Sequence, residues 1–426
     1  MLCKIKIIIF YVVIILNLFS FNTIQAKDIK ICDNCEIKSI TKAINLAENG
    51  DILIINGGYY KESPIVIDKS ITVKGVGFPV IDGEKKESVI KIISDNVIID
   101  SLFIINGGRN QLNIVGGIHT FEVNNCVIKN SLFKNNNFAI YLGKVNNCLV
   151  ENNLILGTNE KSEVLSGNGV HSWYSNNIKI KKNIIRGHRD GLYLESSEET
   201  EITDNYSLNN NRYGLHFMFC HGSILKNNRF SDNSAGVVIM YTYRVEALEN
   251  IFQNNERKGS LGILIKDIGD SVFKKNKFYK TTRALVMDNS NRNHFEENIF
   301  YFNGISLIVL GSCDSNKFIN NNFLFNFFDV MSSAYQNLNN FTENYWSRYQ
   351  GYDLDFDGIG DKPFHPMQYF GYLVSNYSEL SVLLLSPIIE FLEVAERAFP
   401  VITPINLVDN RPRMKATAYA KEVENL

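Results

Sequence analysis

The sequence predicts an all-β fold, a right-handed parallel β-helix, and three observations predict it. A short Asn-containing pattern recurs along most of the chain at a near-constant period. A second short strand, with apolar residues at alternate positions, lies between the copies. Neither interval leaves room for a helix, which sets the chain apart from the leucine-rich solenoids of similar period.

The recurring pattern is an apolar residue, two further residues and Asn. It occurs as Val127–Asn130, Leu149–Asn152, Ile180–Asn183, Ile202–Asn205 and Leu225–Asn228. It continues as Ala247–Asn250, Phe273–Asn276, Phe295–Asn298, Phe318–Asn321 and Phe341–Asn344. Successive Asn residues are 22, 31, 22, 23, 22, 26, 22, 23 and 23 positions apart, a period that means stacked rungs. Asn at one place in every rung suits a turn, where it tolerates left-handed geometry. Stacked Asn side chains can also bond along the coil as a ladder. The second strands include Gly169–Trp173, Gly191–Glu195, Gly214–Met218 and Gly236–Met240.

The ends read differently. Lys4 and Lys6 precede the apolar run Ile7–Phe21, and Ala26 offers a small residue at a cleavage position, so residues 1–26 read as a signal peptide. An uncleaved anchor is the alternative, and either one takes the chain out of the cytoplasm. Residues 27–60 hold an N-terminal cap and first strands, with a short amphipathic helix near Ile40–Ala47. Residues 61–350 form the β-helix proper. Residues 351–372 are an Asp-rich, calcium-like closing segment, and 373–426 a C-terminal helical segment and tail. Leu383, Leu384, Ile388, Phe391, Leu392 and Ala395 give that segment an apolar stripe, which suits a cap, a docking element for a membrane partner, or both.

Charge narrows the partners. Without Lys4 and Lys6 the exported chain has 41 basic and 45 acidic residues, a formal charge of −4, which gives no reason to expect nucleic acid. Six cysteines remain after export, too few for a disulfide scaffold. Cys32 and Cys35 could form a disulfide, a redox pair or a thiolate metal site. Cys126 and Cys148 sit at equal offsets before Asn130 and Asn152 and should stack on adjacent rungs, near bonding distance.

Alternate side chains of a strand face opposite sides. Val170, Leu192, Leu194, Leu215, Phe217, Val237 and Ile239 are apolar and must face the core. His171 and Trp173, Tyr193 and Glu195, His216 and Met218, and Val238 and Met240 then face outward. Thioether and imidazole together form a soft set suited to Cu(I). The candidate metal residues are His171, His216, Met218, Met240 and Glu195; packing beneath a loop or a partner is the competing reading. Trp173, Tyr193, His188, Arg189, Asp190 and Arg212 are candidates for a partner surface or a rim. Asp353, Asp355, Asp357 and Asp361 alternate in the manner of a calcium loop, although Phe364 replaces an EF-hand's closing acid. Such a loop could hold Ca2+ structurally or remain an acidic loop without metal.

The segments Gly167–Ser175, Gly187–Tyr193, Arg212–Phe219, Ala235–Thr242, Glu343–Trp346, Gly351–Asp361 and Thr403–Asp409 resemble the NosD family. The resemblance reaches to about Met414, and residues 415–426 lie outside it. It implies a periplasmic β-helix that docks on the membrane subunit of an ABC transporter. It also implies receipt of Cu(I) from a membrane-anchored copper chaperone and service to the copper-sulfide cluster of apo nitrous oxide reductase. His171, His216, Met218 and Met240 fall inside the resembling segments, while Val238 interrupts the column. The Cys32–Cys35 pair is not carried by the resemblance.

Two other functions compete. Polysaccharide lyases, hydrolases and epimerases use this fold with clustered carboxylates in an open groove. Here Glu195 and Asp190 are the acids near the stripe, a thin set for such work. A structural platform, with the His and Met residues serving protein contact alone, is the other.

Overall fold

The computed structural model describes residues 26–110, 114–158, 160, 162, 165–255, 259–332, 338–383, 386, 391–392, 394–396 and 407–420. Residues 1–25 of the signal segment therefore lie outside the described residues, as do Leu384 and Ile388 of the C-terminal stripe. Three parallel sheets run the length of the coil. Sheet A has 14 strands, from Asp28–Ile31 to Asn340–Thr342; sheet B has 13, from Tyr59–Tyr60 to Tyr345–Trp346; sheet C has 12, from Ile65–Ile67 to Phe328–Ser332. Each rung visits A, then B, then C, so the chain folds as the parallel β-helix its period predicts.

The A-to-B turn explains the period. Two adjacent residues divide the work that the sequence assigns to one Asn. Asn130, Asn152, Lys182, Asp204, Asn227 and Glu249 take the left-handed conformation, with φ between 53° and 57°. The residue that follows, Ser131, Asn153, Asn183, Asn205, Asn228 or Asn250, is buried and joins the ladder. The copies beginning at Val127 and Leu149 are thus displaced by one residue, because Ile128 and Val150 are the partners of Ile99 and Ile180 in the stack. Asn205 shows the ladder unit. Its backbone N and Nδ2 donate to Asn228 Oδ1 at 2.9 and 3.0 Å, and Nδ2 also donates to the Ile180 carbonyl at 2.8 Å. Backbone and side-chain groups that would otherwise be orphaned inside the coil are satisfied together.

A second ladder at the B-to-C turn runs through Asn210, Asn233 and Asn255, with Oδ1 acceptors at 2.9 and 3.0 Å from the preceding backbone N–H. The core between the ladders is aromatic toward the C-terminus. Phe252, Phe278, Phe300, Phe323 and Trp346 stack ring on ring with centroids 4.8, 4.7, 4.8 and 4.1 Å apart.

Both ends are closed. Helix α1 (Ile40–Leu46) buries Ile40, Ala43 and Ile44, and Ser39 caps it by accepting from Lys42 N–H at 3.2 Å. At the other end Asp409 replaces the next Asn of the first ladder, bonding Asn344 and the Trp346 indole. Helix α2 (Tyr369–Asn376) lies instead on the outer face of sheet C, where Phe370 and Leu373 pack on Phe328 and Met331. Leu383 and Leu392 of the predicted stripe join this cluster, while Phe391 is exposed. Among the described residues no helix is long and apolar enough to cross a membrane. Cys32 and Cys35 are disulfide-bonded, as are Cys126 and Cys148, whose Cα atoms stand 4.6 Å apart.

Candidate metal site on the third sheet

Strand register places the outward residues of sheet C in two columns. The first reads His119, Tyr141, His171, Tyr193, His216 and Val238, each the direct partner of the next. The second reads Phe121, Gly143, Trp173, Glu195, Met218, Met240 and Lys266 in the same way. The inward set, Val170, Leu192, Leu194, Leu215, Phe217, Val237 and Ile239, is buried, as parity requires.

The first column is a ladder of alternating imidazole and phenol rings. Centroids are 4.9 Å apart from His119 to Tyr141, then 5.1, 4.6 and 5.0 Å on to Tyr193 and His216. The rings cover one another, so His171 and His216 are only 9 % and 8 % exposed although they point out of the coil. Burial is the main cause that drives the His171 pKa down to about 3 and that of His216 to about 4. Both are neutral imidazoles at neutral pH, the form that binds metals. His171 Nδ1 lies 3.1 Å from Asn168 Nδ2. His216 differs: neither ring nitrogen has a hydrogen-bond partner although both are buried. A buried imidazole with two unanswered nitrogens is costly unless something else binds it.

His171 and His216 stand two rungs apart with the Tyr193 ring between them, about 9.6 Å at the usual strand spacing, too far to share an ion. The structure brings together a smaller set. Met218 and Met240 are direct partners on neighbouring strands, and His216 is two residues from Met218 on the same face. The Tyr193 hydroxyl donates to Glu195 Oε2 at 3.0 Å and lies 4.0 Å from Met218 Sδ. Register thus places two thioethers, one imidazole, a carboxylate and a phenol at neighbouring positions of the outer face. The chemistry of this donor set fits a soft monovalent cation.

The expected rim is placed otherwise. Asp190 is fully buried, gripped by Arg212 through Nε at 2.8 Å and through Nη2, with Arg189 Nε at 3.7 Å. Arg212 in turn lies over the Tyr213 ring at 4.6 Å. His188 is 1 % exposed and occupies the position before Asn210 in the second ladder, its backbone N–H bonding Asn210 Oδ1 at 3.2 Å. Neither His188 nor Asp190 can meet a partner directly. Trp173 and Tyr193 remain half-buried on the surface, and Arg189 and Arg212 are partly exposed.

Two features escape the sequence reading. His119 and Tyr141 extend the ring ladder, and the signal was present: Gly117–Phe121 repeats the pattern of Gly169–Trp173. The turns that follow Trp173, Met218 and Met240 carry Tyr174, Phe219 and Tyr241 at φ of 47°, 54° and 53°. Bulky residues are strained in that region, and all three are exposed, Phe219 and Tyr241 directly after the Met pair.

The Asp-rich loop brings Asp353, Asp355 and Asp357 together, with one oxygen of each within 4.8 Å of the others. Asp361 turns to the loop's own backbone and accepts from Leu354 N–H at 2.7 Å. Gly360 N–H bonds the Pro412 carbonyl at 2.7 Å, so the loop is tied to the segment that closes the coil.

Residues 157–351 match the family described as periplasmic copper-binding protein (NosD), a span that contains both columns from His171 onward. The chain is 26% identical over 401 residues to the probable ABC transporter binding protein NosD of Pseudomonas aeruginosa, covering 83% of this chain and 86% of that protein. The chain is thus similar to NosD proteins over most of its length. A second NosD, from Stutzerimonas stutzeri, is 28% identical over 197 residues, covering 45% of this chain and 42% of that protein. Among solved structures, the catalytic unit of an α-1,3-glucanase from Streptomyces thermodiastaticus has a TM-score of 0.59 at 13% identity, covering 74% of this chain and 66% of that chain. At that identity the likeness is one of fold.

Proposed function

We propose that this chain is an exported accessory protein of the NosD family, not an enzyme, that docks on the membrane subunit of an ABC transporter. There it takes part in Cu(I) delivery, accepting copper from a membrane-anchored chaperone and serving the copper-sulfide cluster of apo nitrous oxide reductase. The names of its relatives, a periplasmic copper-binding family and ABC transporter binding proteins, support the setting. The observation that carries the copper reading is the pairing of Met218 with Met240 beside an unpartnered His216.

In this reading Met218, Met240 and His216 hold the ion, and Glu195 balances its charge while its bond from Tyr193 fixes its position. Copper is the cargo. Its binding answers one of the two His216 nitrogens, neither of which has a hydrogen-bond partner among the described residues. His171 belongs to a separate position farther along the ring ladder. Asp353, Asp355 and Asp357 hold Ca2+ as a structural clamp. The enzyme reading loses support because Asp190 is sealed by arginine and Glu195 is hydrogen-bonded to Tyr193, which leaves no pair of free carboxylates on the stripe.

Anaerobic Cu(I) titration against a chromophoric competitor tests this. Wild type should bind one Cu(I) at this site, and Met218→Ala with Met240→Ala should bind it at least about 100-fold more weakly. Equal affinity would remove the site.

A further inference from the structure

Sheet B has an outer face of one charge sign. Sheet A interleaves its charges rung by rung, as in Lys129 with Asp100 at 3.7 Å, Lys179 with Glu201 at 3.6 Å and Lys274 with Glu296 at 3.0 Å. The strands of sheet B from Phe103–Ile105 to Tyr345–Trp346 contain Lys134, Arg186, Arg229 and Lys277 and no Asp or Glu. A chain with a formal charge of −2 does not produce this by composition. Among the described residues, Lys134, Arg186 and Arg229 have no carboxylate partner, and Ile184 and Tyr206 between them are 45 % and 50 % exposed.

A cavity of about 480 Å³ opens on this face, lined by Lys134, Leu156, Gly157, Arg186, Gly187 and Asn209. Its origin is local. The turn residue after each strand is Asn106, Asn135, Asn209, Asp232 or Asn254 in neighbouring rungs, but Gly157 and Gly187 in two successive ones. Two missing side chains leave a hollow between two cations. Gly157 is also required by packing, since a Cβ there would collide with the Gly187 carbonyl.

The C-terminal tail shows how a segment lies on this sheet. Thr417 and Asn322 exchange two hydrogen bonds of 2.9 Å, and the Tyr419 ring covers Lys277 at 4.9 Å. That contact lies on the far rungs; in the stretch from Lys134 to Arg229, Lys134 and Arg186 are exposed and Leu156 and Arg229 partly so.

We propose that this stretch is a docking surface for an acidic, partly apolar segment of a partner protein, laid along the coil axis. Lys134 and Arg186 stand two rungs apart, about 9.6 Å, with Leu156 between them. Same-side residues of an extended segment are about 6.8 Å apart, a gap that the long Lys and Arg side chains close by leaning inward. Two carboxylates reach the cations and an apolar residue covers Leu156. A single tetrahedral anion is too small to span them. The surface is distinct from the Met218–Met240 site and does not depend on metal.

The test is fluorescence anisotropy with a labelled short peptide alternating Asp or Glu with Leu, on the full exported chain. Saturable binding is expected, weakened about tenfold in K134S/R186S, as loss of two exposed ion pairs implies. G187N, which fills the hollow with the residue that neighbouring rungs tolerate, should weaken it also. M218A/M240A should leave it unchanged. The cations point outward, so melting temperatures should not move. No binding, or equal affinity in K134S/R186S, would overturn the proposal. Displacement by inorganic phosphate better than by chloride at equal ionic strength would make this a small-anion site and overturn it too. A large gain in affinity on deleting residues 421–426 would make the chain's own tail the occupant, with the same consequence.

Discussion

Asn344 donates its backbone and side-chain amides to one oxygen of Asp409, at 3.1 and 3.0 Å. The Trp346 indole N–H reaches the same oxygen at 3.0 Å. From Asn153 to Asn321 each ladder Asn gives these amides to the next Asn; at Asn344 a residue 65 positions on stands in for a rung that does not exist. Asp409→Ala would strand three buried donors and should cost about 3 kcal/mol in denaturant unfolding. Asp409→Asn, which keeps one carbonyl acceptor, should cost markedly less. Equal, small losses in both would mean that the ladder does not need its cap.

His188 should make the fold sensitive to acid. Burial lowers its pKa to about 4, against 6.5 for the free group. Between those values the unfolded chain takes up a proton that the native state refuses, so its contribution is complete above pH 6.5 and is lost as pH falls toward 4. His188→Asn also supplies the second ladder with its usual residue. Melting curves from pH 7.5 to 4.5 should show a shallower decline in the variant and no loss of stability at pH 7.5.

Asp329 should act with the opposite sign. It is buried, its Oδ2 has no partner, and burial pushes its pKa up to about 7 in spite of Arg348. The native state keeps a proton that the unfolded chain releases above pH 3.8, so stability falls as pH rises from about 4 to 7 and is flat above that. Asp329→Asn should raise the melting temperature at pH 8 and leave it nearly unchanged at pH 4. A variant less stable at pH 8 would contradict this.

The Asp-rich loop gives a metal prediction. Millimolar Ca2+ should raise the melting temperature of wild type by several degrees, through preferential binding to the folded state. Asp355→Asn with Asp357→Asn should remove that response without changing the melting temperature in chelator. No response in wild type would leave the loop as an acidic turn.

These residues also show what the sequence made legible. The period and the parity of the sheet C strands could be read because every rung repeats the same demand, an apolar residue inward and a turn residue at a fixed step. The displacement at Val127 and Leu149 arose where Asn130 and Asn152 precede Ser131 and Asn153. Left-handed geometry and ladder bonding both favour Asn, for different reasons, so composition alone could not separate the two positions. The burial of His188 was not legible, because the polarity of a turn residue does not say whether it points into the coil. The same holds for Asp190, whose burial depends on Arg212 in the next rung. The Asp409 cap lies beyond any local pattern, since 63 residues separate it from the Trp346 it bonds. His119 could have been found from Gly117–Phe121 alone.

X-ray absorption at the copper edge of the anaerobic Cu(I)-loaded chain reads the ligands of the bound ion. A first shell with two sulfur scatterers and one imidazole nitrogen is expected in wild type, with loss of the sulfur shell in Met218→Ala with Met240→Ala. A shell of nitrogen and oxygen alone, or a sulfur shell that survives the double substitution, would contradict the proposed site.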